Sequence, residues 1–224
     1  MPVYNEKNTI LKILDVIHAV PLAKEIIVID DGSTDGTREL LRQHTVSREG
    51  FKVLFHEKNS GKGAAIRTGI QGASGDAVII QDADLEYNPM DFMSLVSLME
   101  SANAQVIYGS RFSRKEKVTA SWHRAVNGFL TTLTNCLYGA HLTDMETCYK
   151  LFRRPVIQGL PLTSNGFEIE VEMTAKLLRS GYKIVEAPIS YKGRTFHEGK
   201  KIGWKDGVRA VQCLFYYRFS PFKA

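Results

Sequence analysis

The 224-residue sequence predicts an α/β fold, a mostly parallel sheet with helices on both faces. Three observations point there. Short apolar runs alternate with segments of helical period through the first half. Two of those runs end in acidic clusters, DDGS (30–33) and DADLE (82–86). The charge is divided: residues 1–110 hold 10 Lys/Arg and 15 Asp/Glu, net −5, while residues 111–224 hold 19 and 9, net +10. Strands that alternate with helices need crossover connections, which give parallel strands buried on both faces. In such sheets ligands bind beyond the carboxyl ends of the strands, where both acidic clusters fall.

The chain opens MPVYNE with no apolar run ahead of the helix at 6–18, so the first strand is expected to be truncated. Ile10, Leu11, Leu14 and Ile17 recur at helical spacing, and EIIVI (25–29) is a short buried strand. DDGSTDGT supplies caps for a helix starting near Asp35, whose apolar side carries Leu40 and Leu41. Next come strand 52–56, helix 62–72, strand 77–81, helix 89–100 and strand 105–109. Asn88-Pro89 suits the start of the last helix, with Asn as cap and Pro in the first turn. The second half yields helices at 121–139, 166–180 and 203–219 and a strand at KIVEAPI, with basic stretches RFSRKEK and YKGRTFHEGKKIGWK between them.

Several chemistries are excluded. The composition, 44% hydrophobic and 24% charged, is that of a globular protein. No apolar run approaches the roughly 18 residues of a membrane span. Cys136, Cys148 and Cys213 fit no disulfide or metal spacing and no signal-peptide pattern precedes them, so a reducing, cytosolic setting is expected. NSGKGAAI has His56 and Gly63 where a Walker-type loop needs Gly and Ser/Thr, and Gly72 and Gly75 miss the dinucleotide spacing. The six histidines form no zinc-type pair and read as surface or packing residues. No Ser-His-Asp arrangement is present, and no nucleic-acid motif accompanies the basic charge.

DADLE poses a sharper question. If the segment stays extended, Asp82, Asp84 and Glu86 share one face and repel one another unless a cation sits among them. Hard oxygen ligands at a strand end suit Mg²⁺ or Mn²⁺, completed by the phosphates of a substrate. A solvated acidic turn capping the next helix is the plainer reading. DDGS at a second strand end tips the balance toward a metal.

PVYNE (2–6), VIDDGSTDGT (28–37), NSGKGAAIRTG (59–69), DADLE (82–86), YGSR (108–111), TDMETCYKLFRR (143–154), FEIEVEM (167–173) and YKGRTFHEGKKIGWKDG (191–207) occur in that order. Together they resemble the family-2 glycosyltransferases of the GT-A fold, of the dolichyl-phosphate mannose or glucose synthase type. The resemblance spans almost the whole chain and implies roles. Pro2, Tyr4, Glu6, Ile29 and Asp31 look like the pocket for the base and ribose of a nucleotide diphosphate sugar, with Lys62 in the same substrate-binding set. Asp82, Ala83, Asp84 and Glu86 look like the metal and diphosphate site, although many relatives carry Gln at the Glu86 position. Arg111, Arg124, Arg194 and Lys201 resemble the cationic set that meets the phosphates of donor and lipid acceptor. Relatives in the mannose branch often have Ser four residues after the counterpart of Arg124, where this chain has Gly128.

The resemblance implies an inverting hexosyltransferase acting on a polyprenyl phosphate at the cytoplasmic membrane face. Residues 1–110 would hold donor and metal and 111–224 the acceptor, within one continuous domain. Asp84, Arg111, Arg124 and Arg194 would carry the chemistry. A divalent metal stabilises the charge of the departing nucleoside diphosphate. A phosphate monoester has its second pKa near 6, so the acceptor is largely dianionic at neutral pH and needs no general base. The alternatives are a hydroxyl acceptor, with Asp144 or Glu146 as base, and a nucleotide-sugar-binding module without catalysis. The final helix mixes Trp204, Leu214, Phe215, Tyr216, Tyr217, Phe219 and Phe222 with Lys205, Arg209, Arg218 and Lys223. That pattern suits either a core-packing helix or a peripheral membrane contact. Without the contact, a membrane protein partner would have to present the acceptor.

Overall fold

The computed structural model describes residues 1–45, 50–112, 122–193 and 204–221. Three parallel strands lie in the order β1-β2-β3: β1 (Pro2–Val3), β2 (Ile26–Asp30) and β3 (Phe51–Phe55). β1 is only two residues long, with Pro2 opposite Ile29 and Val3 opposite Asp30. The Met1 ammonium extends the pairing by donating to the Ile27 carbonyl at 2.7 Å. A strand therefore does precede the first helix, in a segment whose sequence reads as lacking one.

Four further strands form the second sheet: β4 (Ala77–Ile79), β5 (Val106–Ser110), β6 (Lys150–Arg153) and β7 (Ile184–Pro188), in the order β4-β6-β5-β7. β5 and β7 are parallel, whereas β6 runs antiparallel between β4 and β5. Sequence reading leaves β6 unassigned. Lys150 is fully buried in it, so the apolar pattern that marks a central strand is broken by a charge.

Helices cover both faces. α1 (Ile10–Ala19) buries Ile10, Ile13, Leu14 and Ile17, one stripe at helical spacing. α2 (Thr37–Thr45) follows β2, and α3 (Lys62–Gly72) packs on β1 and β2. Asn88 accepts from the Met90 amide at 3.1 Å and opens a 3₁₀ turn (Pro89–Asp91) that runs into α4 (Phe92–Ser101). α5 (Trp122–Tyr138), α6 (Arg154–Gly159), α7 (Ile169–Arg179) and α8 (Trp204–Phe219) complete the helices of the described residues.

There are two cores. The larger joins Ile13, Leu14, Val28, Leu41, Leu95, Ile107 and Phe152. The smaller, under α5, α7 and α8, joins Leu130, Met145, Val171, Leu214 and Tyr217. In α8, Ala210, Cys213, Leu214 and Tyr217 recur at i, i+3, i+4 and i+7 and are buried. The opposite side leaves Val208, Phe215, Tyr216 and Phe219 exposed, Phe219 at 75%. One face thus packs in the core as expected, and the other is exposed. Phe222 and Lys223 and the side chains of Trp204 and Lys205 lie outside the described residues.

Candidate active site

Two backbone approaches set the site. Gly32 follows β2 at φ +75°, and a Cβ there would lie 2.5 Å from the Asn59 amide nitrogen. Gly61 has φ +97°, and a Cβ would lie 2.3 Å from the Asn165 carbonyl oxygen. Only glycine permits either contact. The NSGKG glycines thus seat the start of α3 on the 164–166 turn, where the Asn165 carbonyl accepts from the Gly63 and Ala64 amides at 2.7 and 3.2 Å. Asp31 ties down the same loop: its carboxylate accepts from the Ser60 amide at 3.0 Å and the Gly61 amide at 2.8 Å, and pairs with His56 Nδ1 at 2.7 Å. His56, expected at the surface or in packing, is therefore a partner of the site.

The DADLE segment does not stay extended. β4 ends at Ile79, and Leu85 adopts φ +62°, which turns the chain. The condition for one shared strand face is thus not met, and the three carboxylates have different partners although all line one cavity. Asp82 receives Lys62 Nζ at 2.9 Å, Asp84 accepts from the Glu86 amide at 3.1 Å, and Glu86 accepts from the Tyr191 hydroxyl at 2.6 Å. Lys62 also lies 3.1 Å from Glu170 Oε1, and Glu170 Oε2 lies 2.5 Å from Lys150 Nζ. Burial opposes charge on Lys62, yet Asp82 and Glu170 hold its ammonium well above the usual lysine range. Lys62 in turn keeps Asp82 below the usual carboxylate range against its own burial.

Arg111 leaves β5 and grips Asp144 with two parallel bonds, Nε to Oδ2 and Nη2 to Oδ1, both 2.7 Å. Its guanidinium carbon lies 5.0 Å from the Tyr191 ring centroid. Asn127 Nδ2 donates to Asp144 Oδ1 at 3.1 Å. Fully buried and held by both partners, Asp144 is unsuited to act as a base.

These residues surround one cavity of about 1060 Å³. Pro2, Tyr4, Glu6, Asp31, Lys62, Asp82, Ala83, Asp84, Glu86 and Arg111 all line it. Ile29 does not: it is fully buried and faces Gly69 of α3. Arg124 is exposed, its guanidinium carbon 5.5 Å from the Phe112 ring centroid, and is not part of the cavity wall. Arg194 and Lys201 lie outside the described residues. An apolar part of the lining is made by Val126, Phe129 and Leu130 of α5 with Val208 and Val211 of α8. Sequence reading pairs neither helix with the donor residues, because the meeting of α5 and α8 is a tertiary event with no local signal. A second, smaller cavity beside α3 is lined by polar groups including Arg67, Thr68 and Gln158.

Among the described residues no three His, Cys, Asp or Glu side chains converge on a point that would hold a metal. The carboxylates on offer are Asp82, already paired with Lys62, and Asp84. Such a set suits a hard cation that reaches its full shell only with substrate phosphates, and does not suit an all-protein cage.

The description "Glycosyl transferase family 2" belongs to the family whose sequence pattern matches residues 1–160. The chain belongs to that family. Among family-2 relatives it is 27% identical over 212 residues to a polyprenol monophosphomannose synthase of Mycolicibacterium smegmatis, covering 91% of this chain and 80% of the relative. It is 30% identical over 195 residues to glycosyltransferase AglJ of Haloferax volcanii, covering 86% of this chain and 62% of that protein. The architecture is the GT-A fold. The crystal structure of glucosyl-3-phosphoglycerate synthase of Mycobacterium tuberculosis superposes with a TM-score of 0.73 at 20% identity, over 99% of this chain and 80% of that one. The complex of that synthase with Mn²⁺, UDP and phosphoglyceric acid gives 0.71 at 20% identity, over 99% and 78%. This family-2 chain is a glycosyltransferase.

Proposed function

We propose that this glycosyltransferase moves a hexose, with inversion and with a divalent metal, from a nucleotide diphosphate sugar to a polyprenyl phosphate at a membrane surface. One observation carries the reading. A single cavity joins the acidic wall at Asp31, Asp82 and Asp84 to an apolar wall at Val126, Phe129, Leu130, Val208 and Val211. The acidic wall suits a metal with the donor diphosphate, and an acceptor with a phosphate head and a hydrocarbon tail matches Arg111 and the apolar wall, whereas a small soluble acceptor has no use for the latter. The mannose-transferring relative supports the acceptor class. The structural neighbour's complexes with Mn²⁺ and UDP support the donor and metal classes.

Each residue has a task in this reading. Asp31 orders the 59–61 loop that forms the base and ribose end of the cavity. Asp84, with Asp82 beside it, would hold the Mg²⁺ or Mn²⁺, which when bound stabilises charge on the leaving diphosphate. Lys62 adds a fixed positive charge on the same wall. Arg111, fixed in plane by Asp144 and Tyr191, faces the acceptor phosphate, and Arg194 and Lys201 are assigned to it by family resemblance. The dianionic acceptor attacks without a base, in keeping with the engagement of Asp144. Among the described residues no helix is long and apolar enough to cross a membrane. The exposed face of α8 supports peripheral contact instead.

The test is incubation of the protein with membranes and a panel of radiolabelled nucleotide sugars. Label should enter an organic-soluble product labile to mild acid. Label confined to a water-soluble product overturns the acceptor assignment, and Arg194→Ala with wild-type turnover at limiting lipid phosphate overturns the role given to Arg194.

A further inference from the structure

Two carboxylates that line the cavity carry oxygens with no aligned hydrogen-bond donor among the described residues. Glu146 stands on the connection between α5 and β6, and Glu170 on the first turn of α7; both line the cavity. Glu146 Oε1 is buried and accepts no hydrogen bond from the described residues. Glu170 is 3% exposed; its Oε1 is at ion-pair distance from Lys62 but receives no aligned hydrogen bond from them either. Thr147 Oγ1 is buried and unbonded in the same sense, while the Thr147 carbonyl accepts from Lys150, the lysine that also pairs with Glu170 Oε2. Buried acceptors without aligned donors are costly, so the Glu146 and Glu170 oxygens, both in the cavity lining, mark a place that something else completes.

The surrounding charges select the class of that partner. An anion would meet two carboxylates. A cation would meet Lys62 and Lys150, which already neutralise Glu170. A neutral group rich in hydroxyl donors satisfies the acceptors with no charge conflict.

We propose that Glu146 and Glu170 form the hydroxyl-reading wall of the cavity, with Glu146 Oε1, which no described donor reaches, and Glu170 Oε1 accepting hydrogen bonds from the hexose of the nucleotide diphosphate donor. This rests on the donor class given above and deepens it: Glu146 discriminates between hexoses by the orientation of their hydroxyls. A site built to bond a hydroxyl rejects strongly the sugar that lacks it, because its own buried oxygens are then stranded.

Titration gives an independent readout. Burial pushes the Glu146 carboxyl up to about 7. The charged groups facing it are Lys150 from β6, Glu170 from α7, Arg111 at the end of β5 and Asp144 on its own loop, with the Cys213 thiol on α8. Hydroxyl donors favour the carboxylate, so hexose binding near pH 7 releases a proton that nucleotide binding alone does not.

The experiment is calorimetric titration of the full chain, without acceptor, in buffers of different ionisation enthalpy. The probes are UDP, UDP-glucose, GDP and GDP-mannose. Glu146→Gln should bind the preferred nucleoside diphosphate as wild type does, yet lose about tenfold to hundredfold in affinity for its hexose derivative. It should also lose the proton release, and Glu146→Asp should recover part of both. Unchanged hexose affinity and proton release in Glu146→Gln, or equal weakening of nucleotide and nucleotide-hexose, overturns the proposal. Failure of the wild type to bind any of the four probes overturns the donor assignment instead.

Discussion

Lys62 Nζ lies 2.9 Å from Asp82 Oδ1, and one lysine side chain thereby supplies a fixed cation to the first of the DADLE carboxylates. The same ammonium faces Glu170, so removing it leaves Asp82 without its cation and Glu170 with Lys150 alone in a largely buried setting. Breaking a buried pair from one side is costly. Lys62→Met should destabilise the protein by about 3 kcal/mol in urea denaturation. Stability equal to wild type would show that both carboxylates find other partners.

Asp84 behaves differently, because it accepts locally, from the Glu86 amide two residues on. Asp84→Ala should abolish transfer while shifting stability by no more than about 1 kcal/mol. Parallel thermal melts and transfer assays with added Mn²⁺ check this. Full activity of the wild type in excess chelator, with the metal verifiably gone, would contradict a metal role.

The planar fork of Arg111 is matched to Asp144, and a lysine offers the charge without the fork. Arg111→Lys should fold but lose at least about tenfold in kcat/KM for the acceptor, since its cation no longer sits where Asp144 and Tyr191 hold it. Varying acceptor at saturating donor separates this from a donor defect.

The two faces of α8 predict opposite phenotypes. Leu214→Ala, in the core under α5 and α7, should cost about 2–5 kcal/mol. The double change Phe215→Ser and Phe219→Ser, on the exposed side, should leave stability within about 0.5 kcal/mol per site. It should also weaken sedimentation with vesicles of anionic phospholipid. Wild-type vesicle binding by the double variant would assign membrane contact to another surface.

Glu172 links acid pH to stability. It is fully buried, and although burial opposes ionisation, bonds from Lys176 and Ser164 hold its carboxyl down to about 2 from an ordinary 4.5. A carboxyl depressed in the folded state stabilises fully above its unfolded pKa and loses that contribution as pH falls toward the folded one. Wild-type stability should therefore drop between pH 4.5 and 2 more steeply than that of Glu172→Gln, measured by denaturant midpoint at each pH.

Much of the fold is legible from local pattern. The strands around EIIVI and QVIYG, the helix at 62–72 and the Asn88-Pro89 start fall where period and capping place them. The carboxylates are legible as a group, since acids at two strand ends need a reason. Their partners are not, because Lys62 comes 20 residues before Asp82 and Tyr191 follows Glu86 by 105. No spacing rule reaches that far. Leu85 misleads in another way: a leucine at positive φ has no sequence signature, and it interrupts the extended run that the sequence suggests for DADLE. In the sequence Asp144 and Glu146 are two equal acids, and only the grip of Arg111 on Asp144 distinguishes them.

The antiparallel β6 has a practical consequence for anyone recombining such enzymes. It comes from the second half of the sequence but lies between β4 and β5 of the first, pairing Ile79 with Leu151 on one side and Val106 with Phe152 on the other. A crossover near residue 110 would therefore graft a foreign strand into the middle of the host sheet, where every inward side chain must fit on both flanks. Under the acceptor site proposed above, acceptor preference is better transplanted through α5 and α8 alone, which form the apolar wall without entering the sheet. Chimeras designed on that boundary should fold more often than those cut where the charge changes sign.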